Sequence, residues 1–321
     1  MTTTIYRSTD ASAPQMTSAA GSLITVLDAV LVDGYGAKPA AGWTKEVVDS
    51  GTKKVTYLQA AKAGAARKRL YIDDNVATGM AKAWACTSCT TSASPVFTEE
   101  FWSNSDSTQG AIHKADQDTH ATDAAWIIVA NSRSLLIATT RAAWSTGWVW
   151  TFIGDLVTPY PTDYGNFCVA GRTTSQNYAD VSTPLTMSYA IDGIAAFGLV
   201  DGTEYRTSTN VASATAGTTD STYPFNAPTV SKQGYTVEGA DGCLCGVIFY
   251  QISSSRYRGH LPWIYNIGTT DQVLPVAAVP DLTELTIRSS LGAAYDITGI
   301  LLTTGPSNNN KFLLQTSNWS V

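Results

Sequence analysis

One stretch constrains everything else this chain can do: Thr17 to Trp43, TSAAGSLITVLDAVLVDGYGAKPAAGW. Ser18 is placed to cap a helix over residues 19 to 33, and Leu23, Leu27, Val30 and Leu31 recur on one stripe at helical spacing. Ile24 and Val26 widen the stripe until the helix is apolar on most sides, which predicts burial rather than a surface position. Gly34 stands where a left-handed stop belongs. Tyr35, Gly36 and Gly42-Trp43 then turn the chain and bring two aromatics back beside the helix. No other segment reads as a long helix; the remainder reads as short strands and turns. The predicted fold class is therefore mainly β (α+β), with an N-terminal buried helix packed on antiparallel strands. A β-sandwich or barrel-like C-terminal half follows it.

Composition agrees with a packed β-rich chain. Hydrophobic residues make up 44% of the 321, enough for a real core, while charged residues are only 14%. The net charge of -6 argues against a nucleic-acid surface, which needs clustered Lys and Arg; Arg67-Lys68-Arg69 is too short a cluster to supply one. No apolar run reaches the ~18 residues of a membrane span. The start, MTTTIYRSTD, has neither a basic region nor an apolar core, so a secretory leader is not expected and synthesis in a cytoplasm is.

Taken in order, residues 1 to 16 read as a polar arm with Pro14, loose or laid along a partner through Ile5, Tyr6 and Met16. Residues 17 to 200 read as a helix-plus-β domain. Its strands are expected near Lys53–Ala60, Arg69–Asp73 and Met80–Cys86, then as a hairpin of Trp126–Ala130 and Leu135–Thr139. Trp148–Ile153, Asn166–Ala170 and a hairpin about Asp192-Gly193 continue it. The unbroken apolar runs WIIVA, LLIAT and WVWTFI predict strands buried on both faces. Residues 87 to 125 read as a long irregular excursion anchored by Phe97, Phe101 and Trp102, a candidate contact surface. Residues 201 to 230 read as a linker or long loop, and 231 to 321 as a β-rich C-terminal domain.

Candidate chemistry is thin. Cys86 and Cys89 form a CxxC, Cys243 and Cys245 a CxC, and Cys168 stands alone. The two pairs raise a four-thiolate zinc site or a redox dithiol, with unpaired apolar packing or disulfides formed after release from the cell favoured over both. His113, Asp116, Asp118, His120 and Asp123 crowd one segment, but their spacing fits neither a helical ligand pair nor a calcium loop; His260 stands apart. Asp73-Asp74, Glu99-Glu100 and Asp155 are the acidic candidates for a glycosidase pair. There is no nucleophile elbow and no phosphate-cradling glycine loop. No catalytic residue, cofactor or metal is expected. Nine tryptophans form an aromatic excess that suits cores and subunit contacts better than a sugar-stacking surface.

The segment YRSTDASAP followed by LITVLDAVLVDGYGAKPAAGWTK resembles the opening of a family of tailed-bacteriophage virion structural proteins. RLYIDDN, Trp126, FIGDL at 152 to 156 and RGHLPWIYNI at 258 to 267 follow in the family's order. The excursion at 87 to 125 and most of 201 to 250 depart from it. The resemblance implies a non-enzymatic virion component, with a neck, collar or tail position favoured over head decoration. It carries no catalytic residues. The partners expected are other virion proteins and further copies of the chain in a symmetric oligomer, with no nucleic acid and no membrane. A carbohydrate-binding or carbohydrate-cleaving receptor-recognition protein is the alternative, possible and not favoured. Candidate structural and interface residues are Ile5, Tyr6, Leu27, Gly34, Tyr35, Trp43, Phe97, Phe101 and Trp102.

Overall fold

The computed structural model describes residues 2–64, 67–77, 79–90, 96–102, 111–114, 123–140, 148–157, 167–171, 205–207, 244–251, 256–267, 282–287, 293, 296–303, 311–317 and 319. In chain order come β1 (Thr4–Arg7), α1 (Ser22–Asp28), a π-helical turn (Ala29–Asp33), β2 (Thr44–Asp49), β3 (Lys54–Leu58), β4 (Arg69–Asp73) and β5 (Met80–Cys89). Next are β6 (Phe97–Trp102), β7 (Ala111–His113), β8 (Trp126–Ala130), β9 (Ser134–Thr140), β10 (Trp148–Asp155) and β11 (Phe167–Gly171). The rest are β12 (Tyr205–Thr207), β13 (Leu244–Gln251), β14 (Arg256–Ile267), β15 (Glu284–Ile287), β16 (Ile297–Thr303) and β17 (Lys311–Gln315). The fold is mainly β, with three antiparallel sheets and one short α-helix among the described residues.

The sheet β1-β8-β9-β10-β11 is the middle layer. Its strands are apolar at consecutive positions, and a period of two sends alternate side chains to opposite faces. Tyr6, Trp126, Ile128, Ala130, Leu135 and Ile137 close one core with the helix and the sheet β2-β3-β4-β5-β6. Ile127, Val129, Leu136, Ala138, Trp150 and Phe152 close a second core with Trp263, Ile300, Phe312 and Leu314 of the sheet β12-β13-β14-β17-β16-β15. The C-terminal strands thus complete a sandwich, but its facing sheet comes from the N-terminal half. Residues on both sides of 201–230 share that core. Most of 201–230 and the hairpin expected about Asp192-Gly193 lie outside the described residues.

The helix is shorter than its apolar stripe. Gly21, at φ 84°, occupies the N-cap in place of Ser18, and no side chain of the first turn caps it. Asp74 does so from 51 residues away, its Oδ2 accepting from the Leu23 amide at 2.9 Å. After Asp28 the backbone loosens into the π-helical turn. The amides of Ala41, Gly42 and Trp43 then donate to the carbonyls of Val30 and Leu31, so the returning chain satisfies the helix end. Gly34 has the expected positive φ, 77°, but its ψ of 169° is extended rather than left-handed helical. A Cβ there would lie 2.7 Å from the Lys38 carbonyl oxygen. Gly34→Val should therefore cost about 1–3 kcal/mol, read as a lowered urea midpoint at unchanged slope. A midpoint equal to wild type would remove the argument.

Two further expectations are corrected. Residues 1 to 16 are not an arm: β1 pairs with β8, Ile5 opposite Val129 and Tyr6 opposite Ile128, and Met16 bridges Ala124. An edge strand draws its backbone partners from its neighbour, so polar composition and Pro14 do not prevent it. The region 87 to 125 is not irregular throughout: β5 runs on to Cys89, and β6 and β7 both pair with it.

Candidate functional site

The nine residues singled out from sequence separate into two groups. Tyr6, Leu27 and Trp43 are buried in the helix core, and Tyr35 is half-buried against it. Their polar atoms are used internally. The Tyr6 hydroxyl donates to the Pro39 carbonyl at 2.8 Å, the Trp43 indole to Asn131 at 2.8 Å, and the Tyr35 hydroxyl to Asp10 at 2.9 Å. Burial, with Asp10 beside it, holds the Tyr35 phenol well above its ordinary range. Ile5 faces the second core and Gly34 shapes the turn. This group builds the fold. Phe97, Phe101 and Trp102 instead lie on β6, the edge strand of its sheet among the described residues; only their backbone is described. Val96, directly before β6, is 66% exposed.

Among the described residues a comparable edge closes the C-terminal sheet. β15 pairs on one side with β16, and Leu282, two residues ahead of it, is 54% exposed. Of the large apolar side chains described as exposed (Val76, Val96 and Leu282), two therefore flank edge strands. Unpaired strand edges with apolar residues beside them are where another chain can add.

Asp73, Asp74 and Asp155 are engaged in structure, and for Glu99 and Glu100 only the backbone in β6 is described. Asp74 and Lys114 form a buried ion pair with both side chains 0% exposed. Each donor of the Lys114 ammonium has an acceptor: Asp74 Oδ1, the Ala19 carbonyl at 2.9 Å and the Val76 carbonyl at 3.2 Å. Burial raises the Asp74 carboxyl above its ordinary value, and Lys114 and the helix amides oppose that rise. Asp155 receives the Arg133 guanidinium at 2.5 and 3.2 Å. The same Arg133 donates to the Ala60 carbonyl at 2.6 Å, and Gln59 donates to the Arg133 carbonyl, locking β3 to the β8–β9 hairpin. Asp73 lies 3.7 Å from Lys54. Lys114, Arg133 and Gln59 carried no sequence signal, since the partners named here lie 22 to 95 residues away. His113 is buried in β7; His120 lies outside the described residues, and for His260 only the backbone in β14 is described.

Most tryptophans whose side chains are described lie inside. Trp43, Trp126, Trp148, Trp150 and Trp263 are all buried, and Trp84 is half-buried edge-on to Tyr71. A polar cleft of about 430 Å³ beside the helix start is lined by Gln15, Thr17, Asp28, Lys45, Asp49 and Lys53 among others. Within it Lys45 binds Asp28 at 2.6 Å and Asp49 accepts from Thr52.

The CxxC sits on the face of the β2–β6 sheet turned away from the helix. Tyr57, Leu70 and Ala85 point to the helix core, so Thr56, Tyr71 and Cys86 point to the other side, where all three are nonetheless buried. Register places Thr56 opposite Tyr71, and Tyr71 opposite Trp84. Yet Cys89, five residues past Trp84, has its Sγ 3.4 Å from Thr56 Oγ1, two strands away. The end of β5 therefore bends over its own sheet, beginning at the irregularity between Ala85 and Cys86. The bend brings Cys89 to the face that carries Cys86. Cys243 lies outside the described residues, and the side chains of Cys168 and Cys245 are not described.

No protein-family model matches the chain, and no curated protein matches it.

Proposed function

We propose that this protein is a structural component of a tailed-bacteriophage virion, an accessory neck, collar or tail subunit that works through protein–protein contacts and assembles as a symmetric oligomer. The single observation that carries the contact role is the pair of sheet edges, β6 and β15, each with an exposed apolar residue beside it. The N-terminal resemblance supports the virion assignment, and the low charge content suits a chain with extensive partner contacts. Polar clusters saturated by internal partners fit a chain whose buried polar groups build the fold.

The test uses Val96→Asp and Leu282→Asp in the full chain. Both side chains are exposed, so the melting temperature should stay within about 2 °C of wild type. Sedimentation should show self-association weakened by about tenfold or more, and particles grown with the variants should lack the subunit. Unchanged association and normal incorporation of both variants would refute the edge reading. Strong binding of the purified chain on a glycan array would instead favour the receptor-recognition alternative.

A further inference from the structure

We propose that Cys86 and Cys89 form a thiol–disulfide exchange site for low-molecular-weight disulfides, with Cys89 as the attacking thiol and Cys86 as the resolving one. This is independent of any virion role.

Four observations carry it. Cys89 reaches the face that carries Cys86 because β5 bends; residues three apart on a straight strand point to opposite faces. Their exposure differs in the required sense, since Cys86 is fully buried and Cys89 is not. The Cys89 sulfur has a hydrogen-bond partner beside it, the Thr56 hydroxyl at 3.4 Å. Basic residues anchor the same stretch, as Arg69 donates to the Thr87 carbonyl and Lys68 to the Thr87 hydroxyl at 2.9 Å. The Cys89 thiol is accordingly lowered to about 6, chiefly by the Cys86 hydrogen bond, with Thr56 and Arg69 adding to it against burial and Glu46. A buried thiol donating to a more exposed thiolate is the division of labour that dithiol exchange needs.

The chemistry balances as follows. The Cys89 thiolate attacks one sulfur of an external disulfide, forming a mixed disulfide and expelling one thiolate. The Cys86 thiol passes its proton to that thiolate and attacks the Cys89 sulfur, breaking the mixed disulfide and expelling the second thiolate. The chain loses two electrons and the external disulfide gains them. A low thiol pKa favours the reduced pair, so the bridge should be easily reversed. At neutral pH the gain in thiolate fraction is largely offset by lower intrinsic nucleophilicity. Selectivity for Cys89 over Cys86 therefore comes from access.

Oxidised glutathione is the probe, applied to the full wild-type chain, with adducts mapped on peptides by mass spectrometry so that the other cysteines are read separately. The first adduct should appear on Cys89, about tenfold or more ahead of Cys86. It should convert to a Cys86–Cys89 bridge with no retained glutathione, and dithiothreitol should restore both thiols. In Cys86→Ser the glutathione should stay on Cys89. A first adduct on Cys86, equal rates at the two, or a mixed disulfide that persists on Cys89 in the wild-type chain would overturn the proposal. The wild-type measurement stands even if the Ser variant fails to fold.

Discussion

Removing residues 2 to 16 should leave a chain that does not fold. The deletion takes away β1, exposes the edge of β8, and strips Tyr6 and Met16, both fully buried, from the helix core. It also removes the Pro14 carbonyl that accepts from the Trp126 indole at 3.1 Å, and the carbonyl of Ile5 that accepts from Lys38 at 2.9 Å. Two large buried side chains alone amount to roughly 5 kcal/mol, which reaches the lower end of a typical domain's whole stability. Expression should yield insoluble protein, or a soluble one without a cooperative melt by circular dichroism. A truncated chain melting like wild type would show that β1 is dispensable. Tyr6→Phe gives a graded version: it removes the hydroxyl that donates to Pro39 while keeping the ring, and should cost about 1 kcal/mol.

Lys114→Met should cost about 3–5 kcal/mol, since it leaves the Asp74 carboxylate buried with no cation beside it. The helix suffers with it, because Asp74 also caps Leu23. The deficit should depend on pH in a defined sense. Burial already raises the Asp74 carboxyl, and loss of Lys114 raises it further. A carboxyl whose folded-state pKa exceeds its unfolded one contributes stability at low pH and loses it as pH climbs through the folded value. The penalty should thus be smallest in acid and grow toward neutral pH. Asp74→Asn combined with Lys114→Met removes both charges and keeps an acceptor for the Leu23 amide, so the double variant should be more stable at neutral pH than Lys114→Met alone. Urea unfolding measures all three chains. A penalty below about 1 kcal/mol for Lys114→Met, flat with pH, would mean that the pair is not what holds the helix start.

Local pattern was sufficient wherever the physics is local. Alternation and turn residues placed β3, β4, β8, β9 and β10 within a few residues, because a strand's burial follows its own side chains. The unbroken runs WIIVA and LLIATT required burial on both faces, and the middle layer supplies it. Gly34 was legible because a positive φ has few tenants. β1, β2 and β6 were not legible: edge strands need few apolar residues, and the partner of β1, β8, lies far along the chain. The helix start was misplaced for the same reason. Ser18 is a good local cap, but an aspartate 51 residues away reached Leu23 first. The candidate chemistry followed this division. CxxC spacing could be read directly, whereas the bend that brings Cys89 to the face of Cys86 belongs to β5 crossing its own sheet. Local pattern dictates which residues must be hidden and with what period. Which sheet hides them, and which charges neutralise one another in the interior, follow from contacts between segments far apart in the chain, and those contacts exist only once the sheets have packed.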